Sequence, residues 1–157
     1  MTKQEIDNLC QKQDERSRVP VIKALSERYN KLGIDFTIET NDNKYGVYDF
    51  KLTVKGETYY CELKERTCKS NSFDGDFFER EKLIEMYKIS DKLLYFASFP
   101  KDNTILVYDL MKVIREGKYK KANIYTERRS VNKGADFVYK DFYNIDKKAA
   151  SLKLTCN

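Results

Sequence analysis

Apolar positions change their period near Gly33. Upstream, residues 2–18 and 20–32 read as helical: Ile22, Leu25, Tyr29 and Leu32 fall on one face at helical spacing. Thr2 suits an N-cap, Pro20 a first helical turn or a kink, and Gly33 the stop past a helix end. Downstream the period drops to two. Ile34, Phe36 and Ile38 alternate within "IDFTIET" and predict a strand, followed by the polar turn "NDNKYG". "VYDFKLTV" (47–54) and "ETYYCELKE" (57–65) predict two more strands, joined at Lys55-Gly56. After the loop "CKSNSFDG", Asp76 with Glu79 three positions on resembles a capping box and predicts a helix through about residue 89, burying Ile84 with Met86 or Tyr87. "KLLYFASF" (92–99) is apolar almost without interruption, as a central strand covered on both faces would be. A turn at 100–103 leads into "TILVYDL", then a short helix over 111–116. "NIYTERRSV" and "DFVYKDFYNI" predict a strand pair around "NKGAD".

The order helix, three strands, helix, strand, strand predicts an α/β fold: a mixed β-sheet flanked by helices, built as a strand meander with a helical crossover. At 157 residues the chain suits a single domain, 1–157. Hydrophobic residues make up 41% and charged residues 35%, with 12 Tyr and 9 Phe supplying the aromatic bulk, so a packed core is expected and wholesale disorder is not. The first twenty residues contain no apolar signal-peptide stretch, and no run approaches the ~18 apolar residues of a membrane span. These features predict a soluble, cytoplasmic protein with no membrane partner. Lysine-, asparagine- and tyrosine-rich usage fits an AT-rich genome, bacterial or phage; for a phage protein the compartment is the host cell.

Histidine is absent, which removes every histidine-based triad and general base. The absence of histidine also excludes a mixed Cys/His zinc site, and as the four cysteines form no C-x-x-C pair, reduced thiols are expected. Catalysis in this chain would have to use carboxylates, lysines, hydroxyls or a metal held by oxygen.

Alternation along the two middle strands gathers such groups. Phe50, Leu52 and Val54 share one face, and Asp49, Lys51 and Thr53 the other; in the next strand Tyr59, Cys61 and Leu63 oppose Tyr60, Glu62 and Lys64. A hairpin that brings the polar faces together converges Asp49, Glu62 and Lys64. Two neighbouring carboxylates raise a pKa or recruit a cation, and oxygen ligands select Mg²⁺ or Mn²⁺. A lysine beside them can orient water, which is equipment for phosphodiester hydrolysis. The plain alternative is a cross-strand ion pair on a solvated sheet face.

Asp49…Glu62-Leu63-Lys64, on a hairpin that follows a helix, resembles the PD-(D/E)xK nuclease superfamily, the restriction-endonuclease-like and Holliday junction resolvase-like enzymes. The resemblance covers roughly residues 15–110 as an αβββαβ core, leaving 111–157 as a basic C-terminal extension. It implies Asp49, Glu62 and Lys64 as catalytic residues. Asp49, Glu62 and the Leu63 backbone carbonyl would be the metal ligands, and Glu15 the helix-borne acid. Tyr48 stands where the family name has proline, and Lys82 with Tyr87 match neither the residue nor the spacing of the Gln-x-x-x-Tyr motif found in some members. [DE]-x-K alone has no specificity in this chain. Its serious rival is Asp49-Phe50-Lys51 with Asp35 upstream, a register that leaves Glu62 without a role.

The net charge of +5 is concentrated. Seven basic residues (Arg115, Lys118, Lys120, Lys121, Arg128, Arg129 and Lys133) face two acids, Glu116 and Glu127, between positions 115 and 133. The expected function is a Mg²⁺-dependent (or Mn²⁺-dependent) deoxyribonuclease of structure-directed or restriction type, with Lys118, Lys120, Lys121, Arg128, Arg129 and Lys133 on the DNA backbone. Tyr119 and Tyr125 are interleaved with these lysines, where base stacking competes with ordinary packing. Cutting both strands would call for a homodimer. The alternative is a catalytically inactive nucleic-acid-binding or interaction protein that retains the fold.

Overall fold

In the computed structural model, residues 1–11, 18–41, 46–127 and 137–156 are described. Helices α1 (Lys3–Gln11) and α2 (Arg18–Lys31) precede β1 (Phe36–Thr40), β2 (Phe50–Val54) and β3 (Glu57–Glu65). The crossover carries β4 (Gly75–Glu79) and α3 (Arg80–Tyr87). Then come β5 (Leu93–Phe99), β6 (Thr104–Asp109), α4 (Leu110–Arg115), β7 (Tyr119–Glu127), β8 (Phe137–Asp146) and β9 (Leu152–Thr155). The main sheet runs β1-β2-β3-β5-β6-β9, with β3 and β5 parallel and its other neighbours antiparallel. A second sheet runs β4-β8-β7, antiparallel throughout. The expected α/β class with a mixed sheet flanked by helices is what the molecule has.

Local chemistry accounts for the first half. Thr2 and Glu5 form a reciprocal capping box: the Glu5 N–H donates to Thr2 Oγ1 at 3.2 Å and the Thr2 N–H to Glu5 Oε2 at 2.6 Å. Gly33 closes α2 at φ +67°, where an L side chain would be strained. Lys55 and Gly56, at φ 52° and 77°, form the two-residue turn whose twist matches the strands it joins.

The core lies on both faces of the main sheet. On one side α2 buries Val21, Ile22 and Leu25 against Phe36, Phe50, Cys61 and Phe96. On the other, Leu83 and Met86 of α3 and Leu110 and Val113 of α4 pack on Tyr95, Phe99 and Tyr108. Each such large side chain contributes about 1.5–3 kcal/mol on leaving water, enough to fix which face of each strand is inner.

Three expectations need correction. Asp76 caps no helix; it lies in β4, whose Asp76 and Phe78 point inward while Phe77 points out. The pairing partner of β4 is β8, far along the chain, and this long-range pairing overrides the local capping signal. The helix starts after Glu79, whose side chain makes no capping bond. Its buried residues are Leu83 and Met86, three apart on one face, whereas Ile84 and Tyr87 form the next stripe and are exposed. Residues beyond 110 also do more than extend a finished core: β9 completes the main sheet, and β7 and β8 build the second one.

A buried polar cluster ties the two sheets together. The Tyr95 hydroxyl donates to Asp76 Oδ1 at 3.1 Å, Arg66 Nη2 donates to the Tyr95 hydroxyl at 2.6 Å, and Arg66 Nε stands 3.2 Å from Asp76 Oδ1. Loop 66–74 is pinned at the base of the second sheet. Ser70 donates to Asp102 through both N–H and Oγ, and Lys147 Nζ donates to the Ser70 carbonyl at 2.8 Å.

Candidate active site

The β2–β3 hairpin and the helix ends on either side of it assemble one charged cluster. At the entry to β2, Phe50 pairs with Cys61, and the Asp49 N–H also donates to the Cys61 carbonyl at 2.8 Å. Two residues therefore face one, a bulge that re-aims the entering side chain. Asp49 Oδ2 accepts the Leu63 N–H at 2.7 Å, and Arg18 Nη2 at the start of α2 lies 3.2 Å from Oδ1. One carboxylate is thus held by a strand amide and a guanidinium together.

Glu62 is the buried member, 4% exposed. Lys64 Nζ lies 3.4 Å from its Oε1, and Lys82 Nζ from α3 lies 3.4 Å from its Oε2. Oε2 has no hydrogen bond, so Lys82 acts on it at ion-pair distance without donor geometry. Burial pushes the Glu62 carboxyl up to about 7, with the Asp49 charge adding to the rise and Lys64 and Lys82 opposing it. A carboxylate kept out of water beside a second carboxylate favours a gained cation or a retained proton. Among the described residues no group of three or more acidic, cysteine or histidine side chains could hold a metal ion. The available donor set is two carboxylates and backbone carbonyls, which suits a hard divalent ion that keeps several waters.

Asp49, Glu62 and Lys64 come together, and the Leu63 backbone runs between the latter two. Glu15 lies outside the described residues, as do Arg128, Arg129 and Lys133. Lys118 and Lys120 line a cleft of about 610 Å³ with Lys147 and Lys148, whereas Lys121 borders a separate hollow beside Arg80 and Asp141. The rival register scatters. Asp35 is fully exposed near the N-terminal amine and next to Phe36, which pairs with Val54 at the opposite end of β2 from Asp49. Lys51 stands over the rings of Tyr48 and Tyr60. Tyr119 packs edge-on against Tyr143, while Tyr125 is exposed beside Phe137 and Tyr139.

Sequence reasoning missed Arg18 and gave Lys82 no role. Lys82 lies four residues before the buried Met86 and so on the same side of α3, and identifying Leu83 and Met86 as the inner stripe was the signal that could have found it. Nothing in the local pattern marks Arg18, because its partner is 31 positions away.

No protein-family model matches the chain, and no curated protein does. Among solved structures it is similar to that of D212, a nuclease from a fusselovirus, at 13% sequence identity and a TM-score of 0.48, covering 83% of this chain and 79% of that one. A likeness of that degree assigns no activity by itself.

Proposed function

We propose that this protein is a metal-dependent nuclease that hydrolyses DNA phosphodiester bonds by water attack. The observation that carries the reading is Glu62: a carboxylate buried beside a second one, Asp49, with each of its oxygens at ion-pair distance from a lysine ammonium. Asp49, Glu62 and the Leu63 carbonyl would hold Mg²⁺ or Mn²⁺. An ion bound there neutralises the scissile phosphate and lowers the pKa of its own water. Lys64, reaching Glu62 from the same strand face, orients the attacking water and donates to the phosphate oxygens. Lys82 supplies a second positive charge from α3, on the side of Glu62 away from Lys64. Asp49 is kept in place by the Leu63 amide, so its orientation does not depend on the ion. Lys118 and Lys120 grip the DNA backbone, a contact that weakens steeply with salt.

A second reading has its own observation. Arg18 lies on Asp49 and two lysines on Glu62, so side chains already supply positive charge where an ion would. A fold kept for binding alone would look this way.

One experiment separates the two. Linear, nicked, branched and single-stranded DNA are incubated with Mg²⁺, Mn²⁺ or EDTA, using wild type, Lys64→Ala and Glu62→Ala. Metal-dependent cutting lost in both variants supports the nuclease. Binding without cutting on every substrate overturns it in favour of the binding protein.

A further inference from the structure

The second sheet has two unlike faces. One packs Phe78 and Ile145 into the core. The other turns Phe77, Ile124, Lys140 and Phe142 away from it, and between this face and the charged cluster lies a cleft of about 250 Å³. Lys64 and Arg66 line that cleft together with Phe77, Ile124, Thr126 and Phe142. Phe77 is 39% exposed and meets Phe142 edge-on, with ring centroids 6.0 Å apart. At the same cleft Lys140 pairs with Glu79 at 3.2 Å, leaving polar atoms beside the rings. Along the same sheet face, past Asn144, the larger cleft presents Lys118, Lys120 and Lys148.

Resting on the nuclease reading above, we infer that this face is the track for an unpaired DNA strand, with a base next to the scissile phosphate stacking on Phe77 and Phe142. The geometry gives the reason. The phosphates and sugar edges of a duplex gain little from the rings of Phe77 and Phe142, which meet in the cleft beside Lys64. A base released from its stack has a free π-face, and aromatic side chains hold it without regard to sequence. The lysines at the far end then meet the phosphates of the same strand. The substrate class is single-stranded DNA or DNA with a locally unpaired segment, such as a flap or fork.

The test is fluorescence anisotropy in EDTA, where nothing is cut. It uses a labelled oligothymidylate and a labelled blunt duplex of equal length, with a second oligonucleotide carrying 2-aminopurine to report stacking. Wild type is expected to bind the single strand at least tenfold tighter than the duplex and to quench 2-aminopurine. Phe77→Leu, which keeps the apolar volume, is expected to lose about tenfold of single-strand affinity and most of the quenching, with duplex affinity unchanged. Phe142→Leu serves as the second variant. Equal or tighter duplex binding, or quenching that survives both substitutions, overturns the inference. The two proposals fail separately. Metal-dependent cutting with duplex preference sinks the track alone, and single-strand preference with no cutting on any substrate sinks the nuclease alone.

Discussion

Glu62→Gln should stabilise the fold while removing activity. In the folded chain the Glu62 carboxyl is pushed from 4.5 up to about 7, chiefly by burial. Between those two values the folded protein keeps a proton that the unfolded chain has released, so stability falls as pH rises; above about 7 the whole penalty is present. A gap of about 2.5 units corresponds to roughly 3 kcal/mol. At pH 4, below both values, wild type should match the glutamine variant, and at pH 5 the penalty should already be on the order of 1 kcal/mol. At pH 8 the variant should be more stable by up to roughly 3 kcal/mol, or roughly 6–12 °C in Tm for a chain of this size. Urea unfolding in EDTA at several pH values measures this. Adding Mg²⁺ at pH 8 should recover stability in wild type by mass action, about 2.7 kcal/mol at a hundred times the dissociation constant, and recover little in the variant. Stability profiles that run parallel from pH 5 to 8 would refute the reasoning, because the charge on Glu62 would then cost no more than one in water.

Other perturbations separate the roles of neighbouring groups. Lys82→Ala should lower cleavage about 10- to 100-fold, the loss typical of groups that orient a ligand. It should also move the acidic limb of the pH–rate profile upward, because one of the two cations opposing the Glu62 shift is gone. Asp49→Asn keeps an acceptor for the Leu63 N–H and should abolish cleavage with a near-native Tm, whereas Asp49→Ala should also lose about 1–3 kcal/mol, read by urea midpoint. Asp76→Ala removes the carboxylate partner of the half-buried Arg66, which keeps its bonds to Tyr95 and the Phe77 carbonyl, and should cost about 1–3 kcal/mol, by the same measurement.

What the sequence made legible follows from the range of the interactions. The β2–β3 hairpin was readable because period-two alternation and a Lys55-Gly56 turn are both local, and alternation alone put Glu62 and Lys64 on the polar face. Asp76 misled because a strand of five residues next to a helix start carries the same letters as a capping box. Only its pairing with β8 and its burial under Tyr95 distinguish the two. Arg18 and Lys82 were silent for the same reason. Each approaches the hairpin from another element, and a single sequence carries no trace of which distant side chains meet. The meeting of Phe77 and Phe142 depends on the same long-range pairing of β4 with β8.

The position of β9 has a consequence for the order in which the molecule matures. β6 is buried along Thr104–Tyr108, and the strand that covers its outer edge, Leu152–Thr155, is synthesised more than forty residues later. Every residue of the charged cluster has left the ribosome by then. Until β9 docks, a growing chain presents a long apolar edge able to template pairing with another copy. Production at low temperature or with chaperones, which protect that interval, should raise soluble yield more than any substitution in the charged cluster.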